Sequence, residues 1–124
     1  MSYNLNYKSN GFFLTYKGFI TINEINASNG LMHGHEEFDS HKFQIINLLE
    51  ADFSLINKSR SREPAATDLV ASRFSSKVKV ALVVREVNAV NFCEQYIKES
   101  ISGGSPWDFK IFSELEDALQ WSCT

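Results

Sequence analysis

The stretch Lys77–Ser100, KVKVALVVREVNAVNFCEQYIKES, decides the fold class of this chain. Its first part, from Val78 to Val84, is a nearly unbroken apolar run that is rich in β-branched residues. Such a run is typical of a strand covered on both faces, and it is too short to cross a membrane. After this run, apolar residues recur at helical spacing as far as Ile101, one residue beyond the quoted stretch. They are Val90, Cys93, Tyr96, Ile97 and Ile101.

Both ends of this helix carry recognisable signals. Asn88 suits the N-cap position, and Gly103-Gly104 suits a C-terminal cap in the left-handed conformation. A further strand is expected from Asp108 to Phe112, so the unit predicts a right-handed strand–helix–strand crossover. We therefore expect a sheet that is at least partly parallel, with helices packed against it.

The N-terminal part of the chain predicts a hairpin followed by a helix. Alternating runs at residues 3–8 and 12–17 flank Asn10-Gly11, a pair that favours the positive φ angles of a tight hairpin turn. Gly18 is expected to end the second strand. Thr21 and Glu24 fit a capping box, which would open a helix that ends near Gly34.

Three further elements complete the order. Phe43–Leu49 predicts a second buried strand, interrupted by Asn47. A terminal helix is expected to open with a capping box at residues 113–116. A helix that begins near Pro64 is expected to bury one stripe of side chains. That stripe consists of Ala66, Leu69, Val70 and Phe74.

The resulting order, β-β-α-β-α-β-α-β-α, predicts one α/β (α+β) domain over residues 1–124. We expect a mixed central sheet of about five strands with about four helices. Phenylalanines are expected to supply much of the core, together with Cys93. The phenylalanines are Phe12, Phe13, Phe43, Phe53, Phe74 and Phe112.

The composition excludes several classes of function. A net charge of −3 argues against nucleic-acid binding through bulk charge. The polar N-terminus MSYNLNYKSN lacks the apolar segment of a signal peptide, and no transmembrane segment is expected, so we predict a cytoplasmic protein. Cys93 and Cys123 lack the spacing of a metal or redox motif, so we expect reduced thiols and no cofactor.

Three motifs carry a family resemblance: KVALVVRE at residues 79–86, GGSPWDFKIF at 103–112 and SELEDALQW at 113–121. With the element order, they resemble STAS domains, the fold of the anti-anti-sigma factors. The C-terminal half is similar to the SpoIIAA-like group of small bacterial proteins, which are related to STAS and Sec14-type domains. The resemblance implies a STAS-like fold and a non-enzymatic protein that works by binding another protein.

The chain departs from that family at one functional motif. Phosphorylatable anti-anti-sigma factors carry an Asp-Ser-Ser/Thr-Gly type motif after the third strand. Residues 48–66 here read LLEADFSLINKSRSREPAA, with neither an Asp-Ser pair nor a glycine. No residue of this chain therefore takes the role of the phosphorylated serine, and the classical partner switch is not expected.

The longest irregular stretch is expected from Glu50 to Glu63, and long loops are often functional. Two of its carboxylates follow a strand but lack a recognisable acid–base partner, so they are expected to be solvated. Phosphate on a serine before Pro64 would meet a helix N-terminus and Lys58, Arg60 and Arg62, although a solvated loop is the favoured alternative. The predicted interaction or ligand region comprises Glu50, Asp52, Phe53, Ser54, Leu55, Ile56, Ser59 and Ser61.

Three alternatives remain open. The histidines His33, His35 and His41, among nearby acids, could bind a metal, but their spacing matches no closed motif and a polar loop is favoured. A small apolar ligand or lipid, as in Sec14-type domains, would need a cavity of roughly 300 Å³ or more. That cavity would be lined by Phe53, Leu55, Ile56 and Phe74. An exposed sheet edge, such as the first hairpin, would favour a homodimer.

Overall fold

The computed structural model describes residues 2–124. Its five strands and four helices follow the predicted order, and two short 3-10 turns lie at Phe38–Ser40 and Lys58–Ser61. The elements are β1 (Tyr3–Lys8), β2 (Gly11–Phe19), α1 (Ile22–His33), β3 (Phe43–Asp52), α2 (Arg62–Ala71), β4 (Lys79–Val83), α3 (Val87–Ser102), β5 (Asp108–Phe112) and α4 (Leu115–Ser122). The predicted α/β class and element order are confirmed.

The five strands lie side by side in their order along the chain. β1 and β2 are antiparallel, and β2 to β5 are parallel. Because each crossover moves to the next strand in the same direction, crossovers of one hand place their helices on one face of the sheet. Accordingly, α1, α2 and α3 pack over one face, and α4 packs on the other.

β4 lies in the middle of these layers and confirms the prediction from its apolar run. Val80 and Leu82 pack on the side of α1 to α3, whereas Ala81 and Val83 pack on the side of α4. None of the four is more than 5% exposed. A strand buried on both faces has no need for alternating polar residues.

The hairpin turn lies one residue earlier than predicted. Ser9 and Asn10 hold the positive φ angles, 53° and 68°, and Lys8 pairs with Gly11 across the turn. Gly11 is therefore the first residue of β2. A Cβ atom at Gly11 would lie 2.1 Å from Cε1 of Phe43, so the missing side chain allows the Phe43 ring to pack against β2.

Gly18 does not end β2 as expected. The strand continues to Phe19, because Gly18 adopts a φ of 74° that a glycine tolerates inside the strand. The prediction failed because a residue with a positive φ angle can belong to a β-bulge inside a strand as well as end the strand.

β3 extends to Asp52, three residues beyond its predicted end. Its pairing with β2 shifts between Thr15–Asn47 and Lys17–Glu50, so β3 carries one extra residue there. Asn47 Oδ1 accepts a hydrogen bond of 3.1 Å from the Leu49 N–H at this point, which explains an Asn inside a buried strand. The extra residue reverses the alternation of side chains, so that Ala51 and Phe53 face α1 to α3 whereas Phe43 and Ile45 face α4.

The inward face of α2 differs from the prediction. The helix buries Pro64, Ala65, Asp68 and Ala71, whereas Val70 and Phe74 are 55% and 67% exposed. Small side chains at Ala65 and Ala71 suit close packing of α2 against α1 and α3. Asp68 can face inward because Tyr96 and His33 are its buried polar partners. The prediction ranked apolar residues above a buried acid and therefore chose the wrong stripe.

Two predicted N-terminal helix caps are wrong, and one is confirmed. Thr21 and Glu24 form the expected capping box at α1. The N-cap of α3 is Glu86, whose carboxylate accepts from the Asn88 N–H, so Asn88 lies inside the helix. At α4 the N-cap is Glu114 and makes no side-chain cap, so the box expected at residues 113–116 does not form.

The core contains most of the predicted aromatic residues. Phe12, Phe43 and Phe53 are buried, and Phe13 and Phe112 pack partly buried on the α4 side. Cys93 is 2% exposed, as expected for a core thiol, and Cys123 is exposed. Within residues 2–124, none of the helices has both the length and the apolar character needed to cross a membrane.

Candidate functional site

The connection between β3 and α2 is much shorter than the predicted 50–63 loop. β3 ends at Asp52 and a 3-10 turn begins at Lys58, so only residues 53–57 lack regular structure. The 3-10 turn leads directly into α2, with Pro64 in the first helical turn as expected. Strands β2 to β5 all end on the same side of the sheet, and we call this side the carboxyl edge. The connection between β3 and α2 lies there.

The two carboxylates of the predicted region do not form an acid–base pair. Glu50 Oε2 lies 3.9 Å from Lys17 Nζ, and both side chains are 70% exposed. Asp52 Oδ1 accepts a 2.8 Å hydrogen bond from the Ser54 N–H, and hydrogen bonding by Ser54 lowers the pKa of Asp52. Asp52 is therefore an ionised carboxylate near neutral pH. The strand order also never reverses, so this sheet lacks the crevice that a reversal creates for ligands in α/β sheets.

The apolar residues of the connection point to different sides. Phe53 is 3% exposed and packs on Phe92 of α3, with ring centroids 5.2 Å apart. Leu55 is 63% exposed, and Ile56 is half-buried. The turn is fixed by a 2.9 Å hydrogen bond from the Ile56 N–H to the Phe53 carbonyl. One short segment thus anchors itself in the core and presents a leucine to solvent.

The three serines of the predicted region are placed differently. Ser54 and Ser59 are exposed, and the Ser59 N–H donates to Asn57 Oδ1 at 2.9 Å. Ser61 is fully buried, and its hydroxyl donates to the carboxylate of Glu99 on α3. A kinase could reach the first two, whereas a phosphate on Ser61 would require α2 and α3 to separate.

A groove lies between this connection and the N-terminal end of α3. Its volume is about 270 Å³. Phe53, Ile56 and Phe92 supply its apolar part, and the polar part comprises Ser54, Lys58, Asn88 and Asn91. We call it the α3 groove. Sequence reasoning did not predict the two asparagines as site residues; their i, i+3 spacing on one helix face was the available signal.

A second space lies inside the fold, between the sheet and α1 to α3, and measures about 50 Å³. Its wall includes Asp68, Asn29 and Tyr96 among mainly apolar side chains. The Tyr96 hydroxyl donates to Asp68, and burial raises the pKa of Tyr96. His33 Nε2 lies 3.0 Å from Asp68 Oδ1. Asp68 thus links three helices. It was missed because its neighbours in the sequence, AATDLVA at residues 65–71, give no sign of these partners.

The three histidines do not come together as a metal site. His33 faces Asp68, the ring of His35 stacks near Tyr7, and His41 is buried against Phe38. His35 Nδ1 accepts a 3.0 Å hydrogen bond from the Glu37 N–H, so that nitrogen is already occupied by the backbone. Across residues 2–124, no three side chains of His, Cys, Asp or Glu are grouped so that they could hold a metal ion. The region predicted as a polar loop instead contributes Phe38 and His41 to the core.

Comparison with known proteins places the fold. A solved structure of an uncharacterised protein from Shewanella loihica PV-4, of the DUF3478 family with a SpoIIAA-like fold, is 19% identical to this chain. The match covers 98% of this chain and 92% of that one, with a TM-score of 0.54. No family model and no curated protein matches the sequence. The fold is therefore SpoIIAA-like, as the resemblance of the C-terminal motifs predicted.

Proposed function

We propose that this chain is a non-enzymatic module that binds another protein through its carboxyl edge. The observation that carries the proposal is a group of exposed apolar side chains there. Phe19 at the end of β2, Leu55 after β3 and Val87 at the start of α3 are 64%, 63% and 67% exposed. These residues lie at the end of β2, after β3 and at the start of α3, and exposed apolar side chains at one end of a sheet suit an interaction surface.

The chemistry of the buried groups supports a non-enzymatic role. Burial raises the pKa of Cys93 to about 12, so its thiol is a poor nucleophile near neutral pH. The carboxylate of Asp68 is buried and accepts a hydrogen bond from the Tyr96 hydroxyl, so it is engaged inside the fold. We extend the proposal to a cytoplasmic location, where both free cysteines would stay reduced.

A carrier of small apolar ligands is the weaker alternative. Pockets for such ligands measure roughly 300–1,000 Å³, whereas the space between the sheet and the helices measures about 50 Å³. Of the four residues predicted to line a ligand cavity, only Phe53 reaches that space. Leu55 and Phe74 are instead mostly exposed. The protein-binding role therefore has the better support.

Affinity capture from lysate of the source organism tests the proposal. The baits are the wild-type chain and two variants, Leu55→Asp and Ile101→Asp. Ile101 is 60% exposed, like Leu55, but lies near the other end of α3, about 20 Å from its first turn. We expect a partner that is recovered with the wild type and with Ile101→Asp, and recovered at least about tenfold less with Leu55→Asp.

The captured partner should then be purified and titrated against the three chains by calorimetry. A direct interaction that weakens only with Leu55→Asp supports the carboxyl edge as the binding surface. Equal affinity for all three chains contradicts that placement. Self-association through the free edge of β1 stays a separate prediction, which sedimentation of the purified chain would test.

A further inference from the structure

We infer that the α3 groove binds an extended peptide segment of the partner, with an acidic residue placed opposite Lys58. This inference rests on the proposed function and gives the chemistry of the partner. It follows from three features of the groove: an apolar floor, two neighbouring amides and one unpaired cation.

The floor of the groove is preformed. Phe53 and Phe92 are 3% and 6% exposed, and their rings pack against each other. Ile56 closes the side next to the connection. Rigid, apolar walls lower the entropic cost of seating an apolar side chain. At about 270 Å³ the groove has room for one or two peptide side chains but is small for a drug-sized ligand.

Asn88 and Asn91 provide the means to hold a peptide backbone. Both are exposed on the first turns of α3, and neither side-chain amide hydrogen-bonds to another residue of the described chain. Each amide can donate and accept at the same time, which matches a peptide N–H and C=O. Residues three apart on a helix have Cβ atoms about 5–6 Å apart. Same-side residues of an extended strand repeat at about 6.7 Å, so two amides can serve alternate residues.

Lys58 sets the charge of the expected ligand. Its neighbour Arg60 is engaged by Glu63, with Nη2 3.2 Å from Oε1, whereas none of the described acids lies within 4.0 Å of Lys58 Nζ. Two acids that lie close in sequence to groove residues, Asp52 and Glu86, accept backbone N–H groups from Ser54 and Asn88. The free ammonium therefore favours an acidic side chain on the ligand.

Selection of phage-displayed random 12-residue peptides against the purified chain tests this inference. The immobilised proteins are the wild type, Lys58→Glu, the double variant Asn88→Ala/Asn91→Ala, and the control Lys98→Glu. Lys98 is an exposed lysine of α3 outside the groove, so its reversal changes the net charge equally. We expect enriched peptides in which one acidic residue lies beside apolar residues.

The variants separate the two kinds of contact. Lys58→Glu should reduce the enrichment of acidic peptides about tenfold and select basic ones, a change that misfolding does not produce. The double asparagine variant should bind acidic and basic peptides more weakly alike, because it removes contacts to the peptide backbone. Lys98→Glu should select the same peptides as the wild type.

Two results would overturn the inference: no enriched peptide, or enriched peptides whose charge preference is unchanged by Lys58→Glu. Either result would leave the proposed function standing if partner capture still depends on Leu55. Conversely, capture that is independent of Leu55 would remove the proposed function whatever peptides are selected. The two failures are therefore distinguishable.

Discussion

The two ends of the parallel sheet are closed in different ways. At the amino edge, where β3, β4 and β5 begin, the connections bury Phe38, His41, Ser75 and Trp107. The Trp107 Nε1–H donates to the Ser75 carbonyl at 2.6 Å, and Phe38 packs on His41 with ring centroids 4.6 Å apart. These four side chains are engaged inside the fold, whereas Phe74, in the connection before β4, is 67% exposed.

At the carboxyl edge, the connections leave more of their side chains free. Leu55 and Val87 are exposed, and Lys58, Asn88 and Asn91 line a groove with polar groups that have no partner in the described chain. The comparison suggests a division of roles between the two ends of one small sheet. We expect the amino edge to contribute more to stability, and we propose the carboxyl edge as the surface for contact.

Removal of Trp107 should produce the largest effect. Trp107 is 4% exposed, so Trp107→Ala is expected to lower the free energy of unfolding by about 3–5 kcal/mol, because it opens a cavity and leaves the Ser75 carbonyl unpaired. Urea denaturation followed by circular dichroism measures the loss. Trp121→Ala is the matched control, since Trp121 is only partly buried on α4. A loss no larger than that of the control would remove the distinction between the two ends.

His41 should make the amino edge sensitive to pH. Burial lowers the pKa of His41; the hydrogen bond to the Phe38 carbonyl opposes this shift, and His33 adds to it. Gln44 Nε2 lies 3.1 Å from His41 Nε2, which suits a neutral ring that accepts there. Because the folded pKa lies below the unfolded value of about 6.5, the stabilisation is complete above pH 6.5 and is lost as the pH falls through the folded pKa.

We therefore expect the melting temperature, measured by calorimetry, to fall between pH 7 and pH 5. Glu24, Asp52 and Glu63 also have lowered pKa values, but ordinary carboxyl groups titrate near pH 4, so their effect lies below this window. His41→Gln should melt with a shallower pH dependence over the same range. A variant with the slope of the wild type would show that His41 is not the responsible group.

The fold was predictable where local signals and burial agree. The run from Val78 to Val84, the capping box of Thr21 and Glu24, and the motifs after Gly103 specified the order of elements and its SpoIIAA-like character. Each of these signals acts within a few residues, so it survives without knowledge of long-range contacts. The buried run in particular needs only the information that both faces are covered.

The errors arose where a distant contact decides the outcome. Asp68 faces inward because Tyr96 and His33 meet it from other helices, and no local pattern shows these partners. Gly11 belongs to a strand because the Phe43 ring occupies the space of its Cβ. β3 extends beyond Leu49 because its extra residue is accommodated against β2. The length of the 50–63 loop was overestimated for that reason.

The candidate site was predictable only in part. The region was placed after β3, and its apolar residues were singled out, but their directions depend on the bulge that turns Phe53 toward α3. Asn88 and Asn91 lie some 30 residues further along the chain and join the region only through packing. Whether the predicted residues from Glu50 to Ser61 act in binding stays a prediction.

The smallest effect is expected at the carboxyl edge. Because Leu55 is 63% exposed, Leu55→Asp should change the free energy of unfolding by no more than about 0.5 kcal/mol. Phe53→Ala, two residues earlier in the same connection, should lower it by about 3–5 kcal/mol, because Phe53 is 3% exposed and packs on Phe92. Urea denaturation of both variants under the same conditions measures these changes.

A large loss of unfolding free energy with Leu55→Asp would mean that this end also stabilises the fold. Reduced partner capture by that variant would then reflect unfolding. A loss confined to Phe53→Ala would assign the binding effect of Leu55 to the surface itself.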